Sequence, residues 1–166
     1  MGALELGLLA AMCWGFHDVC VRFISQKTPI SACIFIVLIV GLIFHICLMM
    51  PSKEISTITK AAFTYASIAG VSFVIASFSL YYAFKRGPVK LVAPLIASYP
   101  ILSITWAIWI GTPVSKLQIL AVLAIILGVS IVAIMSDNSE EKIPPIGKTI
   151  ALSIVAAIAF ACTFAL

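Results

Sequence analysis

The sequence predicts an all-α integral membrane protein that crosses the bilayer several times. Five unbroken apolar stretches, and the beginning of a sixth, fill nearly all of the 166 residues. Each complete stretch supplies the roughly 20 apolar residues that a helix needs to cross about 30 Å of hydrocarbon. Hydrophobic residues make up 63% of the chain and charged residues 10%. A helix satisfies its own backbone hydrogen bonds in lipid, so the pattern predicts a multi-pass helical bundle and excludes a soluble enzyme.

The predicted membrane helices follow one another through short connections. The first five span residues 4–23, 29–50, 61–84, 89–110 and 117–135, and the sixth begins near Thr149. The first connection ends at Pro29, which suits the opening turn of the second helix. The third connection, residues 85–88, contains a Gly-Pro pair that is typical of a compact turn. Residues 136–148 are polar, contain a Pro-Pro pair and resemble a linker.

Charge and cysteine usage exclude several other functions. The formal net charge is +4, but the ten Lys and Arg residues lie mostly in the short connections, where they orient helices and meet lipid headgroups. No basic run is interleaved with aromatic residues, so nucleic-acid binding is not predicted. The five cysteines lie inside apolar stretches without metal-ligand spacing, and we expect neither a metal site nor a cofactor. No nucleophile–base pair or phosphate-binding glycine loop supports catalysis or ATP-driven transport.

After the linker, the sequence resembles its own beginning. Residues 6–16 align without gaps with residues 152–162. Apolar residues match apolar residues, small residues match small ones, and Trp14 corresponds to Phe160. Any two apolar helices look somewhat alike, but this similarity starts directly after the one predicted linker. The alignment therefore indicates an internal repeat.

An odd number of helices before the copy means that the copy enters the membrane from the opposite side. Inverted repeats of this kind recur in secondary transporters, whose binding site lies between the repeats near the middle of the membrane. We predict a five-helix transmembrane repeat over residues 1–146 and the start of a second repeat over residues 147–166, with its first helix truncated. The chain would then be the first half, and a little more, of a protein about twice this length.

Short motifs follow one another along the chain in a recognisable order. Residues 10–15 are similar to a first-helix pattern that ends in Trp-Gly, and residues 81–84 resemble the end of a third helix before a Gly-Pro turn. Residues 99–102 are similar to a proline-containing fourth-helix segment, and residues 117–118 and 127–129 resemble a fifth helix. Their order and spacing resemble the EamA type of the drug/metabolite transporter superfamily over essentially the whole chain.

This resemblance implies ten helices in two five-helix repeats, secondary transport of small molecules and a cytoplasmic N-terminus. It also implies a bacterial inner membrane, with a eukaryotic organelle membrane as the alternative. The chain departs from the family pattern in one place: relatives usually have Gly-Glu after the fourth helix, whereas this chain has Gly111 and Thr112. Whatever that glutamate does in relatives does not carry over to this chain.

Ionisable residues inside the predicted first helix are candidates for a functional site, because charges in hydrocarbon cost several kcal/mol unless paired or hydrated. Asp18 lies about 21 Å along this helix at 1.5 Å per residue, His17 adjoins it, and Trp14 lies one turn earlier. One interpretation places them in a central cavity, where Asp18 or His17 binds a proton or a substrate amine. The alternative is a structural Asp18–Arg22 pair at i,i+4 spacing, with His17 a packed, hydrogen-bonded residue.

The predicted fourth helix carries a polar and aromatic stripe. Tyr99, Ser103 and Trp106 lie at positions i, i+4 and i+7 and share one face. Pro100 removes a backbone donor and can kink the helix, which suits the wall of a cavity. Ordinary packing, with Trp106 and Trp109 in the interfacial aromatic belt, is the alternative. Small residues in the third helix predict close helix packing, and Tyr82 is the candidate cavity residue there.

Two arguments about membrane orientation disagree. Seven Lys and Arg residues lie at the odd-numbered connections and three at the even-numbered ones, so the positive-inside rule places the N-terminus outside. The seven are Arg22, Lys27, Lys85, Arg86, Lys90, Lys142 and Lys148, and the three are Lys53, Lys60 and Lys116. The family resemblance implies the opposite orientation, and the sequence leaves the question open.

Together, these patterns predict a secondary transporter of small metabolites or drug-like amphipathic compounds that works by alternating access in the lipid bilayer. A second repeat would complete the cavity, and a proton route through Asp18 and His17 would couple transport to a proton gradient. One alternative is a half-size chain that works as an antiparallel homodimer, like the small multidrug resistance proteins. Another is a membrane scaffold subunit without transport activity.

Overall fold

The computed structural model describes residues 2–50, 58–135 and 146–165, and within these ranges the chain forms helices and no strand. The helices are α1 (Ala3–Lys27), α2 (Ile30–Met49), α3 (Lys60–Arg86), α4 (Val89–Ile96), α5 (Tyr99–Trp109), α6 (Lys116–Met135) and α7 (Ile146–Ala165). Five segments are long and apolar enough to cross a membrane, namely α1, α2, α3, α4 with α5, and α7. The chain is an all-α membrane protein, as the sequence predicts. Most of the predicted linker lies outside the described residues.

Local sequence signals set the points at which α3 and α6 begin. Thr59 precedes α3, and its Oγ1 accepts a hydrogen bond from the backbone N–H of Ala62 at 3.1 Å. Before α6, the backbone N–H of Gln118 donates to Ser115 Oγ at 3.2 Å, and the N–H of Ser115 donates to Gln118 Oε1 at 2.8 Å. These bonds satisfy N–H groups that have no partner within the first helical turn. These capping residues therefore stabilise the first turns of both helices.

The predicted fourth helix is interrupted in its middle. Ala97 and Ser98 separate α4 from α5. Pro100 has no N–H to donate to the carbonyl of Ile96 one turn earlier, and the N–H of Ile101 donates to the Ser98 carbonyl at 3.0 Å. The disturbance that Pro100 predicts therefore takes the form of an interruption at Ala97 and Ser98, which divides the predicted helix over residues 89–110 into α4 and α5. The two halves together still form one membrane-length segment.

Contacts at the helix ends show the relative directions of α1, α3 and α7. Arg22, near the C-terminal end of α1, donates to the Gly87 carbonyl directly after α3 at 3.2 Å, so α1 and α3 run parallel. Gly87 also lies against Thr149 in the first turn of α7. Near the other end of α7, the Thr163 hydroxyl approaches the Ala69 carbonyl of α3 at 3.5 Å. Helix α7 therefore runs antiparallel to α1 and α3, in the direction that an inverted copy of α1 would take.

The best-packed part of the described chain lies between α3 and α7. Seven residues of α7 are buried: Thr149, Ser153, Ala156, Ala157, Ala159, Phe160 and Ala161. Six of them are small, which allows the backbone of α7 to approach α3 closely. Helix α3 also buries seven residues, some of them against α1 and α2: Ala76, Ser77, Ser79, Leu80, Tyr81, Ala83 and Phe84. This contact holds α7 in place beside α1, and the two helices together position the candidate site.

Candidate functional site

Trp14 lies within a cluster of aromatic side chains from three helices. Its ring centroid is 6.0 Å from that of His17 in α1, and 5.8 Å and 6.4 Å from those of Phe160 and Phe164 in α7. Tyr99, the first residue of α5, is 6.1 Å from Phe160 and 5.4 Å from Phe164. Edge-on and tilted ring pairs at such distances are attractive beyond their buried area. The cluster therefore fixes α1, α5 and α7 against one another.

A line of three polar groups runs beside Trp14. The His17 Nδ1 lies 3.2 Å from Asp18 Oδ1, and the His17 Nε2 lies 3.4 Å from the hydroxyl of Tyr81 in α3. Tyr81 is buried, whereas the side chains of His17 and Asp18 are 37% and 25% exposed. An imidazole accepts or donates a proton at either ring nitrogen. This arrangement can therefore pass a proton between a phenol on one side of α1 and a carboxylate on the other.

A cavity of about 380 Å³ lies on one side of Trp14, between α1, α2, α3 and α7. Its walls are almost entirely apolar. The polar side chains of His17, Tyr81 and Ser77 are among those that line it, and Phe160 lines it from α7. The volume falls within the range of small-molecule pockets. This space suits an amphipathic molecule with an apolar body and one or two hydrogen-bonding groups.

A second cavity of about 450 Å³ lies on the other side of Trp14, between α1 and the helices α4, α5 and α6. Asp18 is the one charged side chain among the described residues that line it. Tyr99 and Pro100 border it at the helix break, and small residues of α1 leave the space open. The two cavities share Trp14 as a wall. His17 lines the first cavity and Asp18 lines the second. The contact between these two side chains therefore links the two cavities.

The structure brings four of the predicted site residues together: Trp14, His17, Asp18 and Tyr99. The first three are close because one helix carries them, and Tyr99 joins them through the rings of α7. Arg22, the proposed structural partner of Asp18, donates to backbone carbonyls at the C-terminal end of α3. Asp18 contacts His17. Among the described residues, no group of three or more His, Cys, Asp and Glu is placed to hold a metal ion.

The other three predicted residues lie elsewhere. Tyr82 is 45% exposed and lines neither cavity beside Trp14. The Ser103 hydroxyl donates to the Tyr99 carbonyl of its own helix at 3.2 Å. Trp106 lines a third cavity of about 370 Å³ between α5 and α7 and pairs with Trp109 at a centroid distance of 5.0 Å. The predicted stripe on the fourth helix is therefore divided between two places.

Three residues of the site were not predicted from the sequence: Tyr81, Phe160 and Phe164. For Phe160 a signal existed, because the internal alignment pairs it with Trp14. For Tyr81 the signal was weaker: Ser77 lies four residues before it and shares its helix face, and both residues are buried. No comparable signal pointed to Phe164.

Comparisons with known proteins agree with this architecture. The EamA-like transporter family matches residues 1–134. An uncharacterized protein of Methanocaldococcus jannaschii is 30% identical over 133 residues, which make up 80% of this chain and 96% of that protein. That relative is thus little longer than the segment that contains α1 to α6. No solved structure matches the chain.

Proposed function

The chain belongs to the EamA-like transporter family, and we propose that it moves small amphipathic molecules through the cell inner membrane as a secondary transporter. Family membership makes it a membrane transporter of small substrates; the energy source, the mechanism and the location are our proposal. The observation that carries it is the pair of cavities on either side of Trp14, joined by the contact between His17 and Asp18. A binding site of this kind, near the middle of the helices, is what alternating access requires.

The broken fourth helix supports alternating access. A continuous membrane helix resists bending, whereas two half-helices joined at residues 97–98 can change their relative angle through a few backbone dihedrals. The break borders the same cavity as Asp18. Movement of α4 relative to α5 would therefore open or close that cavity.

We infer that a second, inverted five-helix unit completes the passage and that α7 is its first helix. Two observations support this inference. Helix α7 runs antiparallel to α1, and Trp14 and Phe160, which correspond in the internal alignment, are in ring contact. Corresponding residues of a two-fold arrangement contact each other only near its axis. The axis would thus pass between α1 and α7, next to the two cavities.

An antiparallel homodimer is a second way to supply the inverted unit. The length of the Methanocaldococcus jannaschii relative favours it, since that protein is little longer than one unit. In this chain, however, α7 already packs along α3 beside α1, and an inverted copy would have to bind next to it. This packing favours a second repeat that starts with α7 over a homodimer.

We propose that a proton gradient drives transport and that His17 and Asp18 carry the proton. Among the described residues, the titratable side chains around them include Tyr81 from α3, Tyr99 from α5 across the aromatic cluster, Cys13 in α1 and Cys33 in α2, and the charged Arg22 lies one turn beyond Asp18 in α1. A carboxylate at this depth is costly when it is charged and alone. Binding and release of a proton at Asp18 would therefore favour different states of the transporter.

The test reconstitutes the full chain in lipid vesicles and screens amphipathic amines, amino acids and neutral drugs for flux. Flux of the compound that is transported is then measured at several external pH values for the parent, Asp18→Asn and Glu5→Gln. Glu5 is the matched control, since it lies exposed in the first turn of α1. We expect the pH dependence to disappear in Asp18→Asn alone. An unchanged pH dependence removes Asp18 from the proton route, and no flux of any compound supports a scaffold.

A further inference from the structure

We propose that the cavity between α1 and the broken fourth helix binds the ammonium group of an organic amine. This inference rests on the proposed transport function and gives it a substrate class. Three features of the cavity point to a cation: one carboxylate, backbone carbonyls without their helical donors, and two aromatic side chains. Each of these features favours positive charge.

The carboxylate of Asp18 is the first feature. None of the described residues that line this cavity is a lysine or an arginine. Asp18 Oδ1 lies 3.2 Å from His17 Nδ1, and His17 lines the cavity on the other side of Trp14. A carboxylate in a membrane interior is stabilised by a cation or a proton beside it. An ammonium ligand in this cavity would provide the cation.

The break in the fourth helix is the second feature. The carbonyl of Ile96 has lost its helical donor because Pro100 has no N–H. The carbonyl of Ala97 has lost its helical donor because the N–H of Ile101 goes to Ser98 instead. Ile96 and Ala97 both line the cavity.

The ends of the two half-helices also favour a cation. The C-terminal end of α4, at the break, carries the negative end of the helix dipole. Pro100 removes one of the N–H groups that the opposing start of α5 would otherwise present to an anion. In other transporters, carbonyls of unwound segments and C-terminal ends of half-helices hold cations in the same way.

The third feature is the aromatic lining, together with the volume. Trp14 and Tyr99 border the cavity, and aromatic rings attract organic cations through their electron-rich faces. The volume of about 450 Å³ is that of a pocket for a small organic molecule and far exceeds what a single inorganic ion fills. Both observations favour an amine with an organic body over a sodium or potassium ion.

The experiment titrates 2-phenylethylamine into the purified full chain in detergent and follows binding by calorimetry. Its neutral counterpart of equal size is 2-phenylethanol. We expect the amine to bind about tenfold more tightly than the alcohol, and Asp18→Asn to lose about that factor for the amine alone. Glu5→Gln leaves the preference unchanged, and Asp18→Glu retains it at least in part. Equal binding of amine and alcohol, or a preference that survives in a folded Asp18→Asn variant, overturns the proposal.

Two further ligands test the remaining features. Trimethyl(2-phenylethyl)ammonium keeps the charge and lacks N–H donors, so we expect weaker binding than for the primary amine, because the freed carbonyls find no donor. Equal binding of the two overturns the role of the helix break. Sodium chloride is titrated into the amine-bound protein as a competitor of the amine. Potassium chloride at the same ionic strength is the control. Displacement of the amine by sodium alone identifies an inorganic-ion site and overturns the proposal.

The outcomes separate this inference from the transport function. Amine binding that depends on Asp18 in a chain that shows no flux would support the site and contradict transport. Flux of neutral compounds, without a preference for amines, would support transport and overturn the site.

Discussion

Helices α2 and α7 are both 20 residues long and strongly apolar, yet they occupy opposite environments. Helix α2 is the more apolar of the two. It nevertheless buries three residues, and all of them lie in its first turns: Ile30, Cys33 and Ile34. Helix α7 buries seven residues along most of its length. In a soluble protein the more apolar helix would be expected in the core.

The difference teaches that apolar character and burial are separate properties in a membrane. Lipid tails are as apolar as leucine, so a large apolar side chain gains nothing by leaving them for the protein interior. Close packing does favour association, and it requires small residues such as those of α7. Isoleucine, phenylalanine and valine side chains on α2 therefore stay exposed on the outside of the described helices, whereas alanine and serine of α7 are buried.

The largest expected effect compares one substitution at two positions of α2. Ile34 is 3% exposed and packs in the core, whereas Ile43 is 56% exposed. Ile34→Ala leaves a cavity and should lower the free energy of unfolding by about 2–5 kcal/mol. Ile43→Ala should change it by less than about 0.5 kcal/mol, because lipid or detergent fills the space. Denaturant titration in detergent, followed by circular dichroism, measures both, and equal losses would contradict the difference in burial between the two positions.

An intermediate effect is expected from enlarging alanine in each helix. Ala156 of α7 is fully buried, so Ala156→Leu must displace neighbouring groups and should cost about 1–3 kcal/mol. Ala32 of α2 is exposed, and Ala32→Leu adds the same volume on a surface that lipid accommodates. Thermal unfolding in detergent compares the two. If the midpoint falls as much for Ala32→Leu as for Ala156→Leu, close packing does not distinguish the helices.

The smallest effect is expected where the C-terminal end of α3 contacts the first turn of α7. A Cβ atom on Gly87 would overlap Cγ2 of Thr149. Gly87→Ala should therefore cost about 1 kcal/mol, and Thr149→Ser, which removes Cγ2, should restore most of it in the double variant. The measurement is a double-mutant cycle of unfolding free energies. Additive effects of the two substitutions would show that the contact does not position α7.

Local parts of the site were predictable, and long-range parts were not. Trp14, His17 and Asp18 lie within five residues on one helix, so helical geometry alone places them together. Tyr81 and Tyr82 are adjacent and equally suitable in sequence, yet Tyr81 contacts His17 and Tyr82 lies exposed. A rotation of α3 by a fraction of a turn would exchange them. That rotation is set by the packing of α3 on α7, which the local pattern does not contain.

The fourth helix shows the same division. Pro100 predicted a disturbance of the helix, since proline removes a backbone donor wherever it lies. That this break borders the cavity which Asp18 lines depends on where α1 and α6 lie. The sequence therefore predicted the cause of the break but not which helices surround it.

By itself, the sequence determined that this protein is a membrane protein, which segments span the membrane and which residues of the first helix form a candidate site. Those properties follow from the thickness of the hydrocarbon layer and from the geometry of one helix, and both are local. The tertiary structure alone decided which helices are buried in the described chain, which tyrosine contacts His17 and how two cavities come to share Trp14. Lipid makes apolar surfaces nearly equivalent, so these choices rest on shape complementarity between segments that are distant in sequence.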